Sequence, residues 1–264
     1  MSLVSRSGMA RRGPRRADHP FVSGLRVGQV VPHQGGHWPN AQPNTIAAYR
    51  QAAPRTQILD IDLWLTEDEV LVCSHDDELE SGRRISTTTW AELESTTSVP
   101  RFVDVATMFP EHRLNVEVKD ARAIDSIRDL IGSNDLADRT CLSTFSPVLA
   151  RALAGAAPRA AHTRPTARRI GGIWGPGDVV QTMTFVPDAA ASLGRLKPLL
   201  LRVLFSAGSP ELVVKQIPIA AKKALPLFAW TVNDDGPLRE LIEAGVDAVL
   251  SDRPALFDEP RTTD

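Results

Sequence analysis

Short apolar runs alternate with longer amphipathic stretches from about residue 25 onward. The apolar runs predict six buried strands, at 27–32, 58–63, 114–118, 140–144, 227–232 and 248–250. Apolar positions at helical spacing, with capping residues before them, predict helices at 44–53, 121–131, 147–156 and 237–244. Strands that alternate with helices are typical of a parallel sheet with helical crossovers. The pattern therefore predicts an α/β fold whose strand–helix units close on one another.

Two segments depart from this alternation. The apolar run 70–74 comes directly after the polar residues 66–69, so it predicts the return strand of a hairpin rather than a new crossover. Between 159 and 226 the pattern is less regular, and a glycine-rich loop is predicted at 171–177. Three runs in this region compete for the fifth and sixth strands: 160–163, 179–185 and 212–216.

The composition narrows the class of protein. A chain of 264 residues fits one α/β barrel, and its formal net charge of −2 argues against a general nucleic-acid binder. No apolar segment approaches the ~18 residues that a membrane span requires, so we expect no transmembrane segment and a cytoplasmic protein. Cys73 and Cys141 lie in apolar runs and are expected to be buried and unpaired. The pattern specifies no oligomeric state.

The first 24 residues differ from the rest in charge. They carry five arginines against one aspartate, and no apolar stretch follows the arginines as a secretory or twin-arginine signal requires. We expect a disordered basic tail at 1–24 and a single barrel domain at 25–264. The alternative for the tail is a weak contact with an anionic membrane surface or with nucleic acid.

Polar clusters fall near the ends of predicted strands, where a parallel barrel opens its catalytic face. His33 follows the first strand and precedes two glycines that allow backbone to approach a ligand. Asp60 and Asp62 are two residues apart in a strand, so both carboxylates project to one face. Like charges this close repel, and a cation between them removes the repulsion. The alternative is a partly exposed pair on a short edge strand.

Two further clusters complete the set. His75, followed by Asp76 and Asp77, ends the hairpin return and suits acid–base chemistry, although the two aspartates suit a turn equally well. Glu117 and Lys119 share one face of their strand. Hard oxygen ligands select Mg²⁺ or Ca²⁺, and a hard cation beside a lysine indicates a phosphate-handling site.

In order along the chain, these clusters resemble the motifs of the glycerophosphodiester phosphodiesterase family. The resemblance covers about residues 27–255 and is weakest over 159–226. His33-Gln34-Gly35 is similar to the family's His-Arg-Gly, Pro43-Asn44-Thr45 to its Glu-Asn-Thr, Asp60-Ile61-Asp62 to its Glu-x-Asp, and Ser74-His75-Asp76 to its His-Asp. Asn115 to Lys119, Ser143 to Phe145, Ala229 to Asn233 and Gly245 to Pro254 resemble the later motifs.

The resemblance implies a TIM (β/α)8 barrel of the phospholipase C-like phosphodiesterase type. It implies His33 and His75 as the acid–base pair, and Asp60, Asp62 and Glu117 as ligands of a divalent metal, Mg²⁺ or Ca²⁺. Substrate contacts are implied for Gln34, Lys119 and Trp230, with Lys119 on the phosphate and Trp230 in the substrate wall. A tryptophan in a barrel strand is also explained by burial alone.

Three positions depart from the family pattern. Gln34 stands where the family has a phosphate-binding arginine, so a fixed charge and a bidentate donor are lost. Pro43 replaces a metal-binding glutamate and offers no side-chain oxygen, and Asp60 replaces a longer glutamate. The remaining carboxylates, with water, are then expected to complete the coordination. Nearby residues that offer a substitute donor are Asn40, Gln42 and His37.

The resemblance implies hydrolysis of small-molecule glycerophosphodiesters. A lysophospholipase D or sphingomyelinase D-like lipid hydrolase is the alternative within enzymes, because loss of the glutamate at Pro43 matches that arrangement better. A catalytically inactive phosphate- or lipid-binding barrel is the alternative from another class, and the retained histidines, acids and lysine argue against it.

Overall fold

The computed structural model describes residues 20–132 apart from residue 22, and residues 136–165, 178–183 and 226–253. The strands are β1 (Gln29–Pro32), β2 (Ile58–Leu65), β3 (Leu71–Cys73), β4 (Arg113–Val118), β5 (Thr140–Ser143), β6 (Ala161–Pro165), β7 (Asp178–Met183), β8 (Leu227–Trp230) and β9 (Ala248–Ser251). The helices are α1 (Ile46–Ala52), α2 (Trp90–Thr96), α3 (Phe102–Met108), α4 (Ile124–Gly132), α5 (Leu136–Arg139), α6 (Pro147–Ala156) and α7 (Asp235–Ala244). Short 3-10 turns lie at His33–Gly35, Ile85–Thr87 and Ala121–Ala123.

All nine described strands form one sheet in the order β1-β9-β8-β7-β6-β5-β4-β2-β3. Neighbours pair in parallel except β3, which returns antiparallel along the end of β2. The two ends of the parallel series, β1 and β2, contact each other. Gln29 Oε1 joins them by accepting from Thr56 Oγ1 and from the amide of Gln57, each at 3.1 Å. The parallel strands therefore close into the predicted TIM (β/α)8 barrel.

Strand alternation separates two apolar regions. On β2, Leu59 and Ile61 join the core between sheet and helices, whereas Ile58 belongs to a second cluster inside the barrel. The same alternation on β8 directs Phe228 inward and Ala229 outward. The inward positions that continue this series on β2 are Asp60 and Asp62. The barrel interior is therefore apolar at one end and acidic at the other.

The base of the barrel is covered by the chain that precedes β1. Phe21 is fully buried in the interior cluster, and its ring lies 6.4 Å from that of Phe228. The guanidinium of Arg113 donates to the carbonyls of Phe21 and Ser23. Ordered chain thus begins before the expected boundary at residue 25, because an apolar residue in the arginine-rich segment packs under the barrel. Residues 1–19 lie outside the described residues.

The six predicted strands and the hairpin return at 70–74 are confirmed. The runs 160–163 and 179–185 overlap β6 and β7, whereas 171–177 and 212–216 lie outside the described residues. The four predicted helices are confirmed as α1, α4, α6 and α7, while α2, α3 and the four-residue α5 were not predicted. In α2, only Leu93 is buried, so its apolar periodicity is weak, although Thr89 and Glu92 form a capping box.

Two further observations concern the cysteines and the helices. Cys73 and Cys141 are both buried, as predicted. Among the described helices, none has the length and hydropathy that crossing a bilayer demands.

Candidate active site

Strand register explains why His33 and Asp252 are neighbours. Pro32, the last residue of β1, pairs with Ser251, the last residue of β9, so the next residue of each chain segment emerges at the same place. His33 Nδ1 lies 2.6 Å from Asp252 Oδ1. Burial lowers the pKa of His33, but the hydrogen bond to Asp252 and the charges of Asp60, Asp252 and Asp62 outweigh it and raise the pKa to about 9. His33 is therefore protonated at neutral pH.

Asp60 is buried beneath this pair. Its Oδ2 accepts from the amide of Gln34 at 2.9 Å, and its Oδ1 accepts from Asn115 Nδ2 at 2.6 Å. Burial raises the pKa of Asp60, and the nearby charge of Asp62 raises it further, while His33 and the two hydrogen bonds lower it. Both oxygens of Asp60 are thus engaged by groups of the protein.

Asp62 and Glu117 form an acidic pair bridged by a lysine. The two residues are partners in the parallel pairing of β2 with β4, so their side chains lie side by side on the inner face. Lys119 Nζ lies 3.3 Å from Asp62 Oδ1 and 3.0 Å from Glu117 Oε1. Burial raises the pKa of Glu117, whereas these two carboxylates raise the pKa of Lys119 against the opposing effect of its burial. The cluster concentrates charge in a largely buried space.

Asn44 orients Asp62 and was not predicted to do so. Its Nδ2 donates to Asp62 Oδ2 and its Oδ1 accepts from the amide of Asp62, each at 3.1 Å. The hydroxyl of Tyr49 donates to the same Oδ1 at 2.8 Å. Asn44 could also have capped the helix that follows it, but Thr45 is the cap and accepts from the amide of Ala48. Asn44 has a left-handed backbone with φ 55°, a conformation that asparagine adopts more readily than most other residues.

His75 lies on an exposed loop after β3. The amide of Ser74 donates to the carbonyl of Asp62 at 3.1 Å, which holds the start of this loop against β2. His75 Nδ1 lies 3.0 Å from Asp76 Oδ1, and the His75 side chain is 53% exposed. Asp77 points elsewhere and accepts from Arg84 and Ser86, which is the turn role considered for it.

An aromatic pair borders the same end of the barrel. Trp230 ends β8, and its ring meets that of Phe145 edge-on at 5.4 Å between centroids. Phe145 follows β5 and is partly exposed. Trp230 Nε1 is buried and finds no hydrogen-bond acceptor in the part of the chain that the structure describes.

Gln34 is buried with φ 57°, and its backbone amide donates to Asp60.

The carboxylates of this site are the kind of ligand that a hard divalent cation prefers, but their positions suit such a cation only in part. Two carboxylates converge on one cationic atom, Lys119 Nζ, so the site already concentrates hard donors around a positive charge. Over the described ranges, however, no group of three or more His, Cys, Asp or Glu side chains is arranged to hold a metal ion. The assignment of Asp60 as a third ligand beside Asp62 and Glu117 therefore stays a prediction.

Of the substitutes considered for the missing glutamate, the side chains of Asn40 and His37 contact other residues. Asn40 Oδ1 accepts from Gln51 Nε2 at 3.1 Å. The carbonyl of Gln42 accepts from Thr45 Oγ1, and His37 Nε2 lies 3.6 Å from Asp252 Oδ1. None of these contacts is with Asp60, Asp62 or Glu117.

The chain forms a parallel barrel that carries a histidine, buried carboxylates and a lysine at the carboxyl ends of its strands. It therefore belongs to the TIM-barrel class of enzymes. Comparison with known proteins narrows the class. The model of the glycerophosphoryl diester phosphodiesterase family matches residues 33–256. A Mycobacterium tuberculosis protein named probable glycerophosphodiester phosphodiesterase 2 is 24% identical over 254 residues, covering 90% of this chain and 93% of the relative.

Solved structures with the same fold agree with this result. An Agrobacterium tumefaciens glycerophosphodiester phosphodiesterase superposes with a TM-score of 0.65 at 19% identity, over 87% of this chain and 98% of the other. An Oleispira antarctica phosphodiesterase in complex with the product sn-glycerol-3-phosphate gives a TM-score of 0.62 at 20% identity, over 89% and 96% of the two chains. The chain belongs to the glycerophosphoryl diester phosphodiesterase family and is a phosphoric diester hydrolase.

Proposed function

We propose that this enzyme hydrolyses glycerophosphodiesters by acid–base catalysis with His33 and His75. The observation that carries the proposal is the partly buried His33–Asp252 pair, which lies at the same end of the barrel as the Asp62–Glu117–Lys119 cluster. A phosphodiester needs a proton donor for the leaving alcohol and positive charge near its oxygens. These two groups supply both.

The two histidines take different roles. His33, whose pKa is raised to about 9 mainly by Asp252 and Asp60 against the effect of burial, holds a proton at neutral pH and gives it to the leaving alcohol oxygen. His75, on the exposed loop, removes a proton from the nucleophile, which is water or a neighbouring hydroxyl of the substrate. Lys119 and the side chain of Gln34 contact the phosphate, and Trp230 forms part of the substrate wall.

We include a divalent metal, Mg²⁺ or Ca²⁺, in the proposal. Asp62 and Glu117 would hold it, with Asp60 as the third carboxylate, and when bound it would neutralise charge on the phosphate oxygens. Support comes from the two carboxylates that already share one cation, Lys119. With these carboxylates neutralised by the metal, the ammonium of Lys119 would be available to bind a phosphate oxygen of the substrate.

The test is hydrolysis of glycerophosphocholine by the full chain, first treated with chelator and then supplied with Mg²⁺ or Ca²⁺. We expect choline or choline phosphate release that depends on the added metal. Asp62→Asn should lose this dependence, whereas Asp125→Asn, which removes a charge on the outer face of α4, serves as the matched control. Activity that is unchanged by chelator would contradict the metal, and no release under any condition would favour an inactive binding barrel.

One observation favours lipid substrates as a second candidate. Phe145, between β5 and α6, and Val148, in the first turn of α6, are 38% and 79% exposed, and Phe145 packs against Trp230. Apolar side chains at this position suit an acyl chain, as in a lysophospholipase D or sphingomyelinase D-like hydrolase. Comparing choline release from glycerophosphocholine and from lysophosphatidylcholine separates the two substrates directly.

The proposal includes a cytoplasmic location and a small-molecule substrate without a nucleic-acid partner. The absence of a nucleic-acid partner is supported by the net charge of −2. The contact of the basic tail with an anionic membrane surface remains a separate prediction, which vesicle sedimentation of the full chain would test.

A further inference from the structure

Asp252 is held from two sides at the end of β9. Its Oδ1 meets His33 Nδ1 at 2.6 Å, while its Oδ2 accepts from Asn233 Nδ2 at 2.7 Å. The backbone amide of Asp252 donates to Asn233 Oδ1 at 2.8 Å, and the hydroxyl of Ser251 donates to the same atom at 3.0 Å. A carboxylate with both oxygens engaged has little freedom to rotate.

Asn233 is itself anchored to the barrel. The amide of Val232 donates to the carbonyl of Leu250 at 3.0 Å, which attaches the segment after β8 to β9. The guanidinium of Arg253 donates to the carbonyl of Asn233 at 2.6 Å. Three strand ends, those of β1, β8 and β9, therefore contribute to one chain of hydrogen bonds that finishes at the imidazole of His33.

We propose that Asp252 is the positioning residue for His33 and that Asn233 keeps Asp252 in place for this purpose. An ionised carboxylate only accepts hydrogen bonds, so His33 Nδ1 carries the proton of the shared bond. The other ring nitrogen, Nε2, is then the atom that exchanges protons with the substrate. The inference rests on the proposed acid–base role of His33 and assigns a role to two residues outside the acid–base pair.

The electrostatic surroundings agree with an ionised Asp252. Burial raises the pKa of Asp252, but the hydrogen bond from His33, the charge of His33 and the hydrogen bond from Asn233 lower it further than burial raises it. His37 Nε2, 3.6 Å from the same Oδ1, acts in the same direction. Asp60 and Asp62 face His33 from β2 and favour its protonated form.

The experiment compares Asp252→Asn, Asp252→Ala and Asn233→Ala with Asp125→Asn, a surface control. Nitrogen NMR of the labelled histidine rings reports the tautomer and pKa of His33, assigned with His33→Gln. In the wild type we expect a proton on Nδ1 and a pKa above the ordinary value. Asp252→Asn should lower that pKa and mix the tautomers, and kcat should fall on the order of 10²-fold or more, since loss of the aspartate that orients a triad histidine costs about 10⁴.

The Asn233→Ala variant keeps the carboxylate and removes its support, so we expect a smaller loss of kcat and an intermediate pKa of His33. It also keeps the test decisive if both Asp252 variants fail to fold, which thermal melts would reveal. An unchanged His33 tautomer and pKa in a folded Asp252→Asn would overturn the proposal. Because the ring signals are read without turnover, a wild type that hydrolyses no diester would overturn the proposed function and leave this arm intact.

Discussion

The two histidines have the same kind of partner in different surroundings. Each has Nδ1 near an aspartate Oδ1, at 2.6 Å for His33 with Asp252 and at 3.0 Å for His75 with Asp76. The side chains of the first pair are 22% and 30% exposed, whereas those of the second are 53% and 76% exposed. Water competes with the exposed pair and screens its charges, so only the buried pair is strongly coupled.

This difference separates two tasks that acid–base catalysis requires. A general acid has to keep its proton until the leaving group departs, and a buried histidine among carboxylates does so. A general base has to reach the nucleophile, and the ring of His75 lies on an exposed loop that is open to water. The comparison therefore predicts that equivalent changes in the two pairs have unequal effects.

Removing either ring has the largest expected effect. His33→Ala and His75→Ala should each lower kcat for glycerophosphocholine by about 10²- to 10⁴-fold, the range contributed by a positioned acid or base. Initial rates of choline release at saturating metal measure the loss, and thermal melts establish that the variants fold. A His75→Ala enzyme within tenfold of wild type would contradict its role.

Removing the aspartates should reveal the asymmetry. Asp252→Asn is expected to reduce kcat at least tenfold more than Asp76→Asn. The Asp76 carboxylate is solvated, so water can partly replace its hydrogen bond to His75. The two substitutions are chemically identical, so each is the control for the other. Equal losses would mean that burial does not distinguish the pairs.

The pH dependence of kcat/KM should also differ between variants of the two pairs. The general acid acts only when protonated, so kcat/KM should fall as the pH rises through about 9, the value to which Asp252 and Asp60 raise the pKa of His33 against burial. In Asp252→Asn this alkaline limb should move to lower pH, whereas in Asp76→Asn it should stay in place. A limb that does not move in Asp252→Asn would assign it to another group.

Much of this arrangement follows from sequence alone, and the rest does not for identifiable reasons. Asp60, Asp62, Glu117 and Lys119 are visible because their spacing of two residues marks one face of a strand. Asp252 is separated from His33 by 219 residues, and only the parallel pairing of β1 with β9 makes them neighbours. The signal that could have found it is closure of the barrel, which brings the ends of the first and last strands together.

Asn44 was missed for a different reason. An asparagine before a helix is usually explained by capping, and nothing in the local sequence indicates that its amide turns back to Asp62. The α2 helix was missed because only Leu93 is buried in it, so it shows no helical periodicity, whereas α3 has three buried residues at helical spacing but spans only 7 residues. Contacts that depend on long-range strand register, and the short helices, could therefore not be predicted from this sequence.

The smallest expected effect is on the free energy of unfolding, which should depend on pH for the His33–Asp252 pair more than for the His75–Asp76 pair. The pKa of His33 is raised in the folded state, so the stability it contributes is fully present below the unfolded value of 6.5 and is lost as the pH rises through about 9. From the size of the shift, this contribution is at most about 3 kcal/mol. The difference in unfolding free energy between wild type and His33→Gln, from urea titrations without metal at pH 6 and pH 9.5, should shrink with pH.

Asp76→Asn should change the unfolding free energy by no more than about 0.5 kcal/mol at either pH, as is usual for surface substitutions. A constant difference for His33→Gln would mean that the imidazole and Asp252 are not coupled in the folded enzyme.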